Sequence, residues 1–256
     1  MEKYALITGA RHGLGKSFAI ELSKMKINTI LVSRPNHGLQ EFCTELKEKY
    51  EIDSKCFETD LSVYQNVIDL ANWVNQHFDL FILINNVGVG GTIRMTDADV
   101  DYLNNIIKLN VITTSVLTHQ LLPNLLKQPR GYVLNISSLA AYLPIGFKTV
   151  YPASKSFVYS FSRGLNQELK GTNVSVSVVC PGPIRTNDEI MKRVEKGFFG
   201  KFMVLEPEFI AKKCIRELFL KKADIVVNPM IWFFIMILPK WIKIPIMTKI
   251  ASKEIS

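Results

Sequence analysis

The stretch "VYPASKSFVYSF" sets a tyrosine, Tyr151, four residues before a lysine, Lys155, at the start of an amphipathic segment. On a helix that spacing puts both side chains on one face. An unperturbed phenol, with a pKa near about 10, is a poor acid or base at neutral pH. An ammonium beside it stabilises the phenolate and draws that pKa down. A phenol so tuned can hand a proton to a carbonyl oxygen or take one from an alcohol. Such pairs are common on helix surfaces, so the rest of the chain has to decide.

A second chemical signal lies near the N-terminus. "LITGARHGLGKSFA" follows a strand-like run directly and opens a helical one. Gly9, Gly13 and Gly15 allow a tight turn, close backbone approach to a pyrophosphate and close packing of helix on strand. The helix start offers free N–H groups and a positive dipole end to phosphate. Arg11, His12 and Leu14 lie inside this turn, the first two as positive or protonatable groups. The next strand-like run, "TILVSRPN", carries Ser33 where a dinucleotide fold usually places an acid for the ribose hydroxyls, with Arg34 beside it. An acid repels a 2′-phosphate and an arginine accepts it. The expected cofactor is NADP(H), and no metal site is expected.

The elements that position these residues follow from the hydrophobic pattern. "YALITG", "NTILVSR", "SKCFETD", "LFILINN", "GYVLNISS", "VSVSVVCPG" and "ADIVVNP" are continuous apolar runs, as expected of strands covered on both faces. Between them come segments of helical period: Leu14, Phe18, Leu22 and Met25 form one stripe, and Phe157, Phe161, Leu165 and Leu169 another. Alternating strands and helices imply a Rossmann-type, doubly wound parallel sheet of about seven strands, α/β in class, with helices on both faces. No repeat or linker divides the chain, so residues 1–256 are read as a single domain.

Composition narrows the partners. The chain of 256 residues is 48% hydrophobic and carries a net charge of +8. That excess fits a solvated basic surface, an anionic ligand or an anionic membrane surface. No basic run interleaves with aromatics, so nucleic acid is not expected. Cys43, Cys56, Cys180 and Cys214 are scattered without CxxC spacing, and "MEKYALITGA" lacks the pattern of a signal peptide. A cytoplasmic location is the expectation.

Taken together, "TGARHGLG", "NNVG", "KLNV", a serine thirteen positions before the tyrosine, "YPASK" and "PGPIRT" resemble the classical short-chain dehydrogenase/reductases, over essentially the whole chain. The resemblance implies that Tyr151 is the acid/base, and that Lys155 lowers its pKa and bonds the nicotinamide ribose. It implies that Ser138 steadies the substrate oxygen, with Ser137 as its structural neighbour, and that Asn110 holds a helix irregularity. Asp60 and Leu61 would contact the adenine, and Asn85, Asn86 and Gly88 would stabilise the central strand and border the cofactor. Pro181, Gly182, Ile184 and Thr186 would lie on the nicotinamide side. The chain departs from the family at Val87, usually alanine, and at His12, where NADP-preferring members often carry Lys or Arg. "NNVG", "SRP" and "LPKWI" look nearest the branch of 3-ketoacyl-CoA reductases and 17β-hydroxysteroid dehydrogenases.

The expected function is NADP(H)-dependent transfer of hydride between the nicotinamide and a ketone or secondary alcohol of a lipophilic, fatty acyl or steroid-like, small-molecule substrate. A broad carbonyl reductase of small ketones or sugars, and a non-catalytic cofactor-binding regulatory protein, stay open as alternatives. A substrate lid is expected over about residues 187–210, where Met191, Phe198, Phe199, Phe202 and Met203 stand among lysines. Helices over about 110–126 and 151–170 are expected to join subunits into a homodimer or homotetramer. In the apolar extension over about 229–256, the unbroken apolar run from Met230 to Leu238 is shorter than the roughly 20 residues a bilayer span needs. The extension is expected as a buried terminal segment or subunit contact, with a peripheral membrane contact as the alternative.

Overall fold

The computed structural model describes residues 3–185 and 204–255. The apolar runs become strands β1 (Lys3–Thr8), β2 (Asn28–Ser33), β3 (Ser54–Glu58), β4 (Asp79–Asn85), β5 (Gly131–Ile136), β6 (Val174–Val179) and β7 (Asp224–Ile225). They form one sheet in the order β3-β2-β1-β4-β5-β6-β7, with every neighbouring pair parallel. β5 and β6 are buried along their whole length, so that Ser175 and Ser177, which alternate with the valines of β6, lie inside as well.

The order reverses between β1 and β4, and a crevice beyond the carboxyl ends of strands at such a point is where open α/β sheets bind ligands. On one face α1 (Gly13–Lys24), α2 (Leu39–Tyr50) and a later helix, Pro207–Phe219, pack through Phe18, Leu22, Phe42, Leu46, Ile210 and Ile215. On the other, α3 (Tyr64–His77) and α5 (Thr113–Lys127) contribute Val67, Leu70, Leu117 and Leu121. Between α3 and α5 comes α4 (Val100–Ile107), joined to α5 by one π-helical turn, Lys108–Ile112.

After β5 a 3₁₀ turn, Leu139–Tyr142, leads to α6 (Val150–Glu168). Here the expected apolar stripe divides. Leu165 and Leu169 join the core, but Phe157 and Phe161 stack on each other, 5.8 Å between centroids, with Phe157 exposed. The face of α6 turned inward is instead Pro152, Ser154, Lys155, Val158 and Ser162. That face is small and polar because it belongs to a site.

With Pro207–Phe219 as α7, the chain ends in α8 (Pro229–Ile237) and α9 (Lys240–Ser252). β7 is shorter than its apolar run, and three residues beyond its end Asn228 caps α8, its Oδ1 accepting from Ile231 N at 3.1 Å. The expectation of a buried terminal segment does not hold for α8, which has no buried residue. A short helix apolar all round can turn only one side to the protein.

Candidate active site

Ser137 and Ser138 leave the carboxyl end of β5, and α6 brings Tyr151 and Lys155 against them. Lys155 Nζ donates to Ile136 O at 3.0 Å, and Ser137 Oγ donates to Lys155 O at 2.7 Å. These two bonds fasten the first turns of α6 to the strand end. Ser138 caps the 3₁₀ turn, its Oγ accepting from Ala140 N at 3.2 Å, and hydrogen-bonds the Tyr151 phenol. Two hydroxyls and an ammonium thus converge at one point.

Asn110 sits fully buried in the π-helical turn. Its Nδ2 donates to Val89 O at 2.9 Å and to Ser154 Oγ at 2.8 Å, and its Oδ1 accepts from Val89 N at 2.9 Å. The segment after β4 is thereby held against α6. Two glycines there leave room. A Cβ on Gly88 would stand 3.1 Å from Lys155 Nζ, and one on Gly90 would stand 2.8 Å from the Tyr151 ring. Gly90 drew no notice in the sequence because a glycine's neighbour across the fold leaves no local signature.

The ionisation of the pair differs from expectation. Burial pushes the Tyr151 phenol up, the hydrogen bond with Ser138 pulling the other way. Burial brings Lys155 down to about 8. Lys155 does not draw the Tyr151 pKa down here: its Nζ is turned to Ile136 O and lies 5.9 Å from the centre of the phenol ring. Desolvation outweighs attraction at that separation, and a helical spacing of four residues carries no information about burial.

Cys180, at the end of β6, is a further neighbour that spacing did not reveal. Burial raises its pKa and keeps it a thiol. It hydrogen-bonds Tyr142 and Ser137 and lines, with Leu139, Tyr142 and Trp232, a small cavity behind the serines. Tyr142 also packs edge-on against Tyr159 at 5.1 Å.

The glycine turn lies across the switch point. Gly9 and Gly13 have φ of +66° and +51°, a region that favours glycine. A Cβ on Gly15 would meet Gly9 O at 2.1 Å, so α1 sits directly on the turn. Asn86 braces it from β4, its Nδ2 donating to Thr8 O at 2.9 Å and Gly9 O at 3.2 Å. Asn85 ties β4 to Thr118 and Asn135, at 2.8 Å each. Leu14 is buried beneath the turn.

Ala10 N donates to Val32 O at 3.0 Å, which sets the turn beside the end of β2. Ser33 and the exposed Arg34 follow there. Arg11 reaches the same loop, Nε donating to His37 O at 2.6 Å. His12 is held below the usual histidine range by partial burial and then by Arg11, His37 and Lys16. Asp60 turns its carboxylate to Ser62 N at 2.9 Å, and the Leu61 carbonyl accepts from Thr113 Oγ1 at 2.7 Å.

Beyond β6, Pro181 O accepts from Leu139 N at 3.0 Å. Gly182 leads to Ile184, which bridges to Leu205. Thr186 and most of the expected lid, including Met191, Phe198, Phe199, Phe202 and Met203, lie outside the described residues.

The donor set along this crevice fits a nicotinamide dinucleotide. A helix start without an acid in its first turn, a backbone cradle without Cβ atoms and an arginine corner lie in line with the Ser138, Tyr151 and Lys155 cluster. Comparison with known proteins agrees. The model of a family described as short chain dehydrogenase matches residues 3–196. The chain is 32% identical to a very-long-chain 3-oxoacyl-CoA reductase of Anas platyrhynchos over 77% of its own length and 64% of the relative's. It is 29% identical to the protein of the same name in Homo sapiens, over 95% of this chain and 78% of that one. Among solved structures, a short-chain dehydrogenase from Sphingobium yanoikuyae in complex with NADPH superposes with a TM-score of 0.80 at 23% identity, covering 90% of this chain and 89% of that one. One from Burkholderia phymatum in complex with NAD gives 0.81 at 22%, covering 91% and 92%. The chain belongs to the short-chain dehydrogenase/reductase family, oxidoreductases that act on carbonyl and alcohol groups with a nicotinamide cofactor.

Proposed function

We propose that this protein is an NADP(H)-dependent reductase of a ketone carried by a lipophilic substrate, of which a fatty acyl thioester is the leading class. The observation that carries the reading is the convergence of the Ser138 hydroxyl, the Tyr151 phenol and the Lys155 ammonium at the end of β5. A bound nicotinamide supplies the hydride, which goes to the carbonyl carbon. The carbonyl oxygen gains negative charge as that bond forms, and hydroxyls aimed at it stabilise the transition state. Ser138 donates a hydrogen bond to this oxygen, and Tyr151 gives it a proton. Lys155, turned to Ile136 O and 5.9 Å from the centre of the phenol ring, supplies positive charge on the same helix face as the phenolate left on Tyr151, and Asn110 keeps the Val89 segment and Ser154 in register beside them.

Gly9, Gly13, Gly15 and the α1 start would receive the pyrophosphate, Asp60 and Leu61 the adenine, and Arg34 with Arg11 a 2′-phosphate. Asn86, Gly88, Pro181, Gly182, Ile184 and Thr186 would border the nicotinamide half. The names of the relatives support an acyl thioester, and so do the net charge of +8 and the lysines of the expected lid. The exposed Phe157–Phe161 stack on α6 supports a homo-oligomeric contact through that helix.

Titration of NADPH and NADH side by side tests the cofactor. The expected result is tighter NADPH binding, which Arg34→Ala weakens about tenfold while leaving NADH unchanged. A preference for NADH overturns the arginine argument. With the cofactor known, long-chain 3-oxoacyl thioesters are compared with small ketones and sugars. Faster turnover of the small substrates would replace the lipophilic reading by a broad carbonyl reductase.

A further inference from the structure

The chain bends by 119° between α8 and α9, and the exposed side of that elbow is apolar. Met230, Phe233, Phe234 and Ile237 are each more than half exposed, as is Ile246, and Trp241 is 77% exposed. Scattered surface hydrophobics need no explanation, but a contiguous patch of this kind marks an interaction surface. Its inner side is fastened. Ile231 and Ile235 pack on the residues around Leu139 and Leu143, and Lys243 Nζ donates to Ile235 O at 2.6 Å. Thr248 Oγ1 accepts from Gly146 N at 2.9 Å, and Glu254 binds Lys148 at 2.8 Å. The elbow is a fixed part of the surface, next to the loop that leads into Tyr151.

The charge on this segment has one sign. Between residues 229 and 255 there are four lysines, Lys240, Lys243, Lys249 and Lys253, and one acid, Glu254, already engaged by Lys148. Lys240, Lys249 and Lys253 are exposed beside the apolar residues. A two-fold contact with a second copy would place this patch against itself, lysine against lysine with no acid of its own to meet them. A surface of anionic headgroups complements it, with lysine stems lying along the apolar face and their charges among phosphates. Neither helix can span: α8 has 9 residues and α9 has 13, against the roughly 20 a bilayer requires. A Trp and lysines at the edge of an apolar face suit a position in the plane of the interface.

We propose that the α8–α9 elbow docks this protein onto the interface of a bilayer that contains anionic phospholipid, without crossing it. Met230, Phe233, Phe234, Ile237 and Trp241 enter the acyl boundary, and Lys240, Lys249 and Lys253 lie among the headgroups. This docking is independent of the proposed reaction and is read without substrate.

Flotation of the full chain with phosphatidylcholine vesicles, with and without phosphatidylserine, tests it. The wild type is expected to float with the anionic vesicles, with Trp241 emission moving to the blue. Trp241→Phe removes that shift and leaves the signals of Trp73 and Trp232. Lys240→Gln, Lys249→Gln and Lys253→Gln together weaken binding about a hundredfold, at about fivefold per lysine. Phe233→Ser with Phe234→Ser abolishes it. Far-UV circular dichroism checks that each variant is folded, and the lysine variant, altered only at exposed positions, remains informative if the aromatic one unfolds. Failure of the wild type to float overturns the proposal, as does flotation that none of these variants changes. So does a lipid-free dimer that Phe233→Ser dissociates, with no vesicle binding, since the face would then belong to a second copy.

Discussion

Asn110 grips the peptide of Val89 at both ends, donating to its carbonyl and accepting from its N–H, each at 2.9 Å. The π-helical turn at Lys108–Ile112 places Asn110 there, and its third bond, to Ser154 Oγ, reaches α6. One buried amide therefore connects β4, α5 and α6 around the site. Asn110→Ala leaves both Val89 groups without this partner, and such losses cost about 1–3 kcal/mol per group. A fall in stability of about 2–4 kcal/mol is expected by urea denaturation, together with lower turnover.

Tyr151→Phe removes the phenolic proton and little else. Turnover is expected to fall by about a hundredfold to ten-thousandfold, with cofactor affinity unchanged within about twofold in a direct titration. An equal loss in both would place Tyr151 in binding rather than proton transfer.

Gly90 and Gly164 make a contrasting pair. A Cβ on Gly90 strikes the Tyr151 ring, whereas one on Gly164, within α6, meets nothing within 4 Å. Gly90→Ala should lower kcat well before it weakens cofactor binding, because the phenol must tilt. Gly164→Ala should stabilise by about 0.5–1 kcal/mol, by limiting the unfolded chain and favouring helix. Steady-state kinetics and thermal melting read the two outcomes.

Lys155 gives a pH signature in the cofactor-free protein. Its folded pKa of about 8 lies below the ordinary 10.5. Between those values the unfolded lysine keeps a proton that the folded one has released, so its contribution to stability improves as pH rises. The unfolding free energy of the wild type should therefore gain on that of Lys155→Met between about pH 8 and 10, by about 1–3 kcal/mol at 1.36 kcal/mol per unit. A constant difference across that window would show Lys155 titrating in the normal range.

Much of this protein is legible in one dimension. All seven strands fall on their apolar runs, β1 and β4 beginning one residue earlier at Lys3 and Asp79, because strands covered on both faces are mostly apolar. The glycine turn and the order of the short motifs pointed to the family, because each answers a local backbone or chemical demand that neighbouring residues satisfy. α6 shows where such reading stops. Its periodic aromatics predicted the buried side, but Phe157 faces out and Lys155 faces in. Hydrophobicity names a face only when the other side of the helix does not carry a site.

What only the tertiary structure decided are meetings between distant segments: Asn110 with Val89, Gly90 with the Tyr151 ring, Cys180 with Tyr142, and the exposed elbow at the C-terminus. The ionisation of Tyr151 and Lys155 belongs with these. Spacing placed phenol and ammonium on one face of a helix, where attraction alone would depress the phenol. Burial, which depends on every element packed over the pair, raised the phenol and lowered the ammonium instead. Desolvation is a property of the whole surroundings of a group, and no stretch of sequence around Tyr151 contains it.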